Sequence, residues 1–381
     1  MIWFYDLFTM VALVLAYIVG FSVLVFVAGY VAPRVARRFA ARFSLQASMI
    51  LIGLLVIVSG FAGIGLLAYA LASLAGFEVS AGIILGVIAT IAVLNIFTYM
   101  LSPLLINLMY GARHDSELQK VVDEVASRLG FAKPPKAVVV NGPPNAFAYG
   151  NFISGRYVAV TKGMLEIATP EELRAVIGHE LGHHKHRDNA IMLFMGLIPS
   201  VLYFLGLMLV RAGLIFGYAR SYTPGDPDSS SRRGGGEGLV LLLVGLVAIV
   251  LSFVIQVLVL AFSRLREYYA DTAGAYATSP RSMQRALARL HVYYYNAPRA
   301  MEHVASSKLR ALFIYAFTEA YASPFYSYLP ARDVRSVDID NVVEQLKKQR
   351  TEDVLEFFST HPPIPKRIRF LDTLAFDYIA K

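Results

Sequence analysis

The chain has 381 residues, of which 56% are hydrophobic, 16% are charged and none is cysteine. Soluble domains are usually about 45–50% apolar, so the composition indicates a membrane protein. Without cysteine, disulfides and thiolate metal sites are excluded, and any metal must be bound by His, Asp or Glu. The net charge of +8 does not indicate a nucleic-acid partner, because no Lys/Arg tract is interleaved with aromatic residues.

Five stretches lack ionisable side chains over the roughly 20 residues that a helix needs to cross a hydrocarbon core of about 30 Å. The first is not expected to be a cleaved signal peptide, because Asp6 precedes it and its apolar run is too long. The third is expected to stop near Pro103. The predicted spans are Leu7 to Ala32, one within Phe43 to Phe77, one within Val79 to Ala112, Asn189 to Val210, and Gly238 to Ser263.

Basic residues beside the short loops predict the orientation of these spans. The loop after the first span holds Arg34, Arg37, Arg38 and Arg42 and no acidic residue. This loop is therefore expected in the cytoplasm and the N-terminus outside. The segments after the third and fifth spans are then also cytoplasmic, in a multi-pass protein of the plasma membrane.

The pattern predicts a mainly α-helical membrane protein with one cytoplasmic α+β domain that contains a small sheet. Spans four and five form a hairpin whose tip, TPGDPDSSSRRGGGEG, has the composition of a flexible linker. The expected organisation is three spans in residues 1–112, the first half of the domain in 113–188, the hairpin in 189–263 and the second half of the domain in 264–381.

The first half of this domain is predicted to run helix, strands, helix. Apolar residues from Leu118 to Leu129 recur at helical spacing, and Gly130 suits the helix end. KAVVVN, NAFAYG and RYVAVT have the composition of short strands. A second helix should start at Thr169, with Pro170 in its first position and Glu172 completing a capping box. The second half is expected to be helical apart from the loop STHPPIPK.

The second predicted helix carries the motif His179-Glu180-Leu181-Gly182-His183. Residues four apart share one helix face, so both imidazoles can reach one metal ion. Glu180 lies beside them and can take a proton from metal-activated water. Four following residues are assigned to a solvated polar face: His184, Lys185, His186 and Arg187.

A catalytic zinc usually has three protein ligands and one open position, so two histidines are not enough. The third histidine of metzincins is absent, because Asn189 stands at its position. A glutamate on a later helix is the other solution, and Glu267 lies four residues after the fifth span. If both helices continue out of the bilayer, His183 and Glu267 rise about 9 and 6 Å above one membrane face. Asp271, one turn further, could accept a hydrogen bond from a ligating histidine.

Together HELGHHKHRD, SRLREYYADTAGA and THPPIPKRI resemble the HtpX-type membrane metalloproteases, gluzincins related to the type-I CAAX prenyl endopeptidases. The resemblance covers roughly residues 116–371. It implies one Zn²⁺ ion per chain, bound by His179, His183 and Glu267. It implies that Glu180 is the general base and that Asp271 supports a ligand without binding the metal itself. It also implies that His361 helps to stabilise the transition state. In NAFAYG it implies an edge strand that pairs with substrate, with Asn145 and Ala146 closest.

The expected function is therefore a zinc endopeptidase that cleaves membrane or membrane-proximal proteins at the cytoplasmic face, which the resemblance connects with protein quality control. The expected partners are protein or peptide substrates and the lipid bilayer. Two alternatives stay open, a dedicated processing protease of the prenyl-endopeptidase kind and a membrane metal-binding or transport protein. Transport is disfavoured, because a transporter carries ionisable groups at mid-membrane and the predicted spans carry essentially none. HtpX-type enzymes usually begin with two spans, whereas three are counted here, so the role of the extra span stays open.

Overall fold

The computed structural model describes residues 53–60, 63–65, 81–221, 237–296, 334–350 and 361–379. The first predicted span, most of the second and most of the hairpin tip lie outside the described residues. In chain order the labelled elements are α1 (Ala81–Tyr110), β1 (Arg113–His114), α2 (Ser116–Arg128), β2 (Lys136–Val140), β3 (Ala146–Asn151), β4 (Gly155–Thr161), α3 (Lys162–Ile167), α4 (Pro170–Lys185), α5 (Asp188–Ser221), α6 (Glu237–Ala277), α7 (Pro280–Asn296), α8 (Ile339–Lys348) and α9 (Ile364–Ile379).

Three of the described helices contain a stretch long and apolar enough to cross a membrane. These stretches are Ile88–Tyr110 in α1, Ile191–Ile215 in α5 and Gly238–Ala277 in α6. They coincide with the third, fourth and fifth predicted spans. The chain is thus a mainly helical membrane protein with a small mixed sheet, as predicted.

The expectation that the third helix stops near Pro103 is wrong, because α1 continues to Tyr110. Proline removes the N–H that would bind the carbonyl of Tyr99. Ser102 Oγ donates to this carbonyl at 2.9 Å, and Asn151 Nδ2 donates to it at 3.1 Å and to the carbonyl of Met100 at 2.9 Å. These donors from outside the helical ladder allow the helix to pass through the proline.

The described residues fall into two compact units. One contains the described residues up to Ile96 together with Leu193–Val259, and we call it the span unit. The other contains Phe97–Met192 and the described residues from Leu260 onward, and we call it the sheet unit. The last part of α1 therefore belongs to the sheet unit.

The sheet has the strand order β1-β2-β4-β3, with β2 and β4 parallel and the other pairs antiparallel. The strands β2, β3 and β4 match the three predicted strand segments, whereas β1 has only two residues and is too short to show an alternating pattern. Because β3 pairs only with β4 among the described strands, it is an edge strand. Ile106 of α1 is buried against Phe147 and Tyr149 on one sheet face, and Ala146 belongs to the main core with α2, α4 and α7 on the other.

The helix α4 begins as its sequence predicts. Thr169 Oγ1 accepts from the N–H of Glu172, and the Glu172 carboxylate accepts from the N–H of Thr169. The same carboxylate receives two hydrogen bonds from the buried Arg289 of α7, at 2.6 and 3.0 Å. The capping box therefore also attaches the start of α4 to the core of the sheet unit.

The expectation that the motif helix continues directly into the fourth span is wrong. The helix α4 ends at Lys185, and Arg187 has a φ of 55°, so the chain turns before α5 begins at Asp188. A left-handed conformation costs a residue with a side chain roughly 1–2 kcal/mol. The turn brings the Asp188 carboxylate back to His183. By contrast, α6 runs without a break from the fifth span through Glu267 and Asp271.

Small residues let α4 lie very close to α6. A Cβ placed on Gly182 would lie 2.9 Å from the Cβ of Ala273 and 3.0 Å from the Cα of Ala270. A Cβ placed on Gly178 would lie 2.8 Å from the Cβ of Ala277 and 3.0 Å from the Cα of Gly274. Any larger residue would push the two helices apart, and with them the histidines of α4 and the carboxylates of α6.

We expect Gly182→Ala to destabilise the protein, because a methyl group there meets backbone and Cβ atoms that cannot move independently. Overpacking of this kind typically costs about 1–3 kcal/mol. Gly196→Ala in α5 is the control, because a Cβ there meets nothing within 4 Å. Thermal melting in detergent checks this: a Gly182→Ala protein that melts with the wild type would contradict the close approach of α4 and α6.

Candidate metal centre

Three side chains of α4 and α6 converge on one point inside the sheet unit. His179 Nε2 lies 3.2 Å from His183 Nε2, and Glu267 lies 3.5 Å from the first and 3.7 Å from the second of these nitrogens. The potential ligand atoms of these three residues all lie within 4.8 Å of one another. His179 and Glu267 are buried, and His183 is half-buried.

The other nitrogen of each histidine is held by a carboxylate. His179 Nδ1 lies 3.0 Å from Asp271 Oδ1, and His183 Nδ1 lies 2.6 Å from Asp188 Oδ2. Ionised carboxylates only accept hydrogen bonds, so each Nδ1 carries the proton. In the neutral rings both Nε2 atoms then present lone pairs, which face each other and the Glu267 carboxylate. A metal ion could bind between these three groups.

The donor set and its spacing fit zinc. Zinc–nitrogen bonds of about 2.0–2.1 Å in a tetrahedral site place neighbouring ligand atoms about 3.3–3.4 Å apart, close to the separations found here. Glu267 Oε2 is buried and makes no hydrogen bond of ordinary geometry within the described part of the chain. Burial lowers the pKa of His179, but Asp271 and Glu267 outweigh this effect and raise it to about 9. A metal must therefore displace a proton that the carboxylates attract.

Sequence reasoning missed the residues that fix the two supporting carboxylates. Arg367, which is completely buried, donates from Nε to Asp271 Oδ2 at 2.8 Å and from Nη2 to Asp271 Oδ1 at 2.6 Å. Arg266 Nε lies 3.0 Å from Asp188 Oδ2. Burial raises the pKa of Asp188, but the hydrogen bond from His183 and the charge of Arg266 outweigh it and lower the pKa. Both arginines lie in the segments quoted for the family resemblance, but side-chain pairing of α6 with α5 and with α9 cannot be deduced from spacing.

Glu180 is buried beside the two histidines, and burial raises the pKa of its carboxyl group above the ordinary value. The backbone N–H of Ala148 in β3 donates to this carboxylate. The predicted base thus lies between the possible metal ligands and the edge strand. A carboxylate with a raised pKa in this position suits proton transfer near neutral pH.

His361 lies immediately before α9, with Nε2 3.5 Å from Glu267 Oε1. It is not one of the three residues whose ligand atoms converge. Burial lowers its pKa to about 4, so the imidazole is neutral near pH 7. The predicted loop STHPPIPK is shorter than expected, because α9 already begins at Ile364.

The two residues predicted to contact substrate differ in their backbone bonding. The N–H of Asn145 donates to Thr161 Oγ1, and its carbonyl accepts from the N–H of Thr161. Along an antiparallel strand such bonded pairs alternate with pairs whose backbone groups point away, so those of Ala146 and Ala148 point to the free edge. The backbone of Ala146 is therefore placed to pair with an added strand, whereas that of Asn145 is used within the sheet.

The assignment of His184 to a solvated face is wrong. His184 is buried, and its Nε2 donates to the carbonyl of Tyr157 in β4 at 2.8 Å. Burial lowers its pKa to about 4, so the ring stays neutral. The other three residues of that group, Lys185, His186 and Arg187, are exposed as expected.

Comparisons with known proteins show the family to which the chain belongs. Residues 112–375 match the profile of Peptidase family M48. The chain is 54% identical over 291 residues to Protease HtpX homolog from Pyrobaculum calidifontis, covering 76% of this chain and 77% of the relative. It is 47% identical over 289 residues to Protease HtpX homolog from Archaeoglobus fulgidus, again covering 76% and 77%. A crystal structure of S. mikatae Ste24p is a distant match, with 18% identity and a TM-score of 0.46; the match covers 86% of this chain and 66% of that chain, slightly less than two thirds of its length.

The site predicts that substituting a metal ligand and substituting a residue that orients a ligand weaken zinc binding to different extents. Glu267→Gln should abolish high-affinity zinc binding, because it removes the negative ligand. Asp188→Asn should weaken zinc binding about 10–100-fold, the usual effect of losing a partner that orients a metal ligand. Asp123→Asn, at an exposed position of α2, is the control and should bind zinc normally. Chelator competition on the metal-free proteins measures the affinities. Normal binding by Asp188→Asn would show that Asp188 does not position His183.

Proposed function

The chain belongs to peptidase family M48 and is a membrane-associated metalloprotease, and we propose that it works as an endopeptidase with one Zn²⁺ ion on His179, His183 and Glu267. The observation that carries the proposal is the pair of Nε2 atoms 3.2 Å apart, both facing Glu267. The two carboxylates on the Nδ1 atoms orient these lone pairs toward the same point.

A zinc ion held there would supply Lewis-acid activation of water and of the scissile carbonyl. Glu180 is the general base that removes the proton from the attacking water and returns it to the leaving amine. The Ala148 N–H keeps the Glu180 carboxylate oriented beside the edge strand. His361, next to Glu267, donates a hydrogen bond to the oxygen on which negative charge develops.

The substrates are membrane proteins or protein segments near the bilayer surface, and the active site faces the cytoplasm. The orientation rests on the basic loop after the first predicted span and on basic residues beside the other predicted cytoplasmic segments. Membrane-protein quality control is the proposed role, with regulated processing of particular substrates as the alternative. The edge strand β3 supports peptide recognition by strand addition, because backbone hydrogen bonds accept many sequences.

Glu180→Gln should retain zinc and lose peptide-bond cleavage, because the amide is isosteric with the acid but cannot take up the proton. Glu166→Gln, at an exposed position of α3, is the matched control and should cleave like the wild type. The measurement combines zinc analysis with hydrolysis of an unfolded protein substrate in detergent. Substantial turnover by a zinc-loaded Glu180→Gln protein would exclude Glu180 as the base.

Single cysteines should report the proposed orientation without background, because the natural chain contains none. Cysteines at Ala40 and Ser306 should react with a membrane-impermeant maleimide only from the cytoplasmic side. A cysteine at Ser230, in the hairpin tip, should react only from outside. Labelling of Ser230→Cys and Ser306→Cys from the same side would contradict the hairpin topology.

A further inference from the structure

The turn between β3 and β4 combines an apolar tip with two backbone N–H groups that are paired within the turn. Phe152 is 80% exposed and Ile153 is 63% exposed, although both belong to a tight turn. Asn151 Oδ1 accepts hydrogen bonds from the N–H groups of Ile153 and Ser154 and from Ser154 Oγ, at 2.8–3.0 Å. A turn with these N–H groups paired and its apolar side chains exposed suits hydrocarbon, where water cannot satisfy a free N–H.

The position of this turn is fixed by α1. Three successive residues of one face of β3 contact the helix step by step: Phe147 packs its ring 5.4 Å from that of Tyr110, Tyr149 OH donates to Asn107, and Asn151 reaches the carbonyls of Tyr99 and Met100. The strand therefore runs along α1 toward its N-terminal part. The tip after Asn151 lies further along the same direction.

This direction leads into the bilayer. Tyr99 and Met100 belong to the apolar stretch Ile88–Tyr110, and residues from Ala81 to Pro103 already suffice to cross a core of about 30 Å. The large side chains exposed on this part of α1 are apolar, Phe97 and Leu104 among them. The tip of the turn continues this apolar surface.

Basic residues set back from the tip favour lipid over a protein partner. Arg156 and Lys136 are exposed at the same end of the sheet, where Arg156 pairs with Gly150 and Lys136 pairs with Tyr157. Arg156 lies three residues from Ile153, beyond the turn and within β4. Apolar groups that enter hydrocarbon below cations at headgroup depth are typical of a membrane interface.

We propose that Phe152 and Ile153 insert into the acyl chains of the bilayer beside α1, so that the edge strand β3 starts at the membrane surface. Ala148, whose N–H binds Glu180, is three residues from Asn151, about 10 Å along the strand. A peptide that pairs with β3 beside the base would therefore have one end at the lipid surface. This inference rests on the proposed protease function and names its substrate class. The enzyme would select polypeptide that is leaving or entering the bilayer and would cut it close to its membrane segment.

A single tryptophan at the tip tests the insertion independently of catalysis. The natural tryptophan is replaced by Trp3→Phe, and Phe152→Trp is then compared with Asn141→Trp in proteoliposomes. Asn141 is exposed at the opposite end of β3, about 20 Å away. We expect blue-shifted emission that is quenched by lipids brominated on their acyl chains for Phe152→Trp alone. Quenching by aqueous acrylamide would overturn the proposal, and so would blue-shifted emission insensitive to brominated lipid, which would indicate a protein contact.

A cleavage assay separates this inference from the proposed function. The double variant Phe152→Asp/Ile153→Asp should lose cleavage of a membrane-anchored substrate in proteoliposomes and keep cleavage of an unfolded soluble protein in detergent. Equal cleavage of the anchored substrate by variant and wild type would refute membrane-directed selection. Failure of the zinc-loaded wild type on both substrates would instead refute the proposed function.

Discussion

The site depends on two buried carboxylates, those of Asp271 and Asp188, each of which fixes the proton of one histidine on Nδ1. Without them His179 and His183 could rotate or exchange tautomers, and their Nε2 lone pairs would not share a focus with Glu267. The carboxylates come from different helices, because Asp271 follows Glu267 on α6 and Asp188 begins α5 after the break that ends α4. The strained turn at Arg187 is therefore part of the metal centre, since a straight helix would not bring Asp188 back to His183.

Burying these charges has a cost that the neighbouring arginines offset. Asp271 and Arg367 form a bidentate pair that is closed to solvent, and such a pair is weak evidence of stability, because desolvation consumes much of the attraction. Its contribution is geometric: the fork of Arg367 holds both oxygens of Asp271, which leaves Oδ1 aligned with His179. Arg367 belongs to α9, and its Nη1 also lies 3.9 Å from Glu267. The C-terminal helix thus takes part in aligning a ligand set supplied by α4 and α6.

Local signals allowed much of this arrangement to be predicted, and the failures occurred where distant elements meet. The spacing of His179 and His183 and the capping box at Thr169 depend on one helix, so the sequence contains all the information they need. Arg367 escaped notice because its role exists only after α6 and α9 are packed, and Asp188 because the turn at Arg187 that returns it to His183 was not predicted. His184 was misassigned for the same reason: its polar neighbours suggest a solvated face, but the sheet covers it and supplies the Tyr157 carbonyl. The roles of Glu180, His361, Asn145 and Ala146 in catalysis and substrate binding stay predictions.

Pro103 shows that the need to pair backbone acceptors also constrains the structure at the membrane. A proline within an apolar helix leaves a carbonyl without its usual donor, and hydrocarbon offers no water to replace it. Ser102 is one donor to it, and a second is Asn151, which lies 51 and 52 residues further along the chain from Met100 and Tyr99 and ends the strand that lies beside Glu180. The hydrogen bonds of Asn151 thereby attach the edge strand to a membrane helix. At the proposed metal centre, likewise, the two Nε2 atoms and the Glu267 carboxylate define where a metal ion would bind. In both places the position of an acceptor determines which distant residues come together. A buried acceptor without a partner costs more free energy than a single hydrogen bond contributes elsewhere. The third predicted span acquires from this contact a structural role in placing β3.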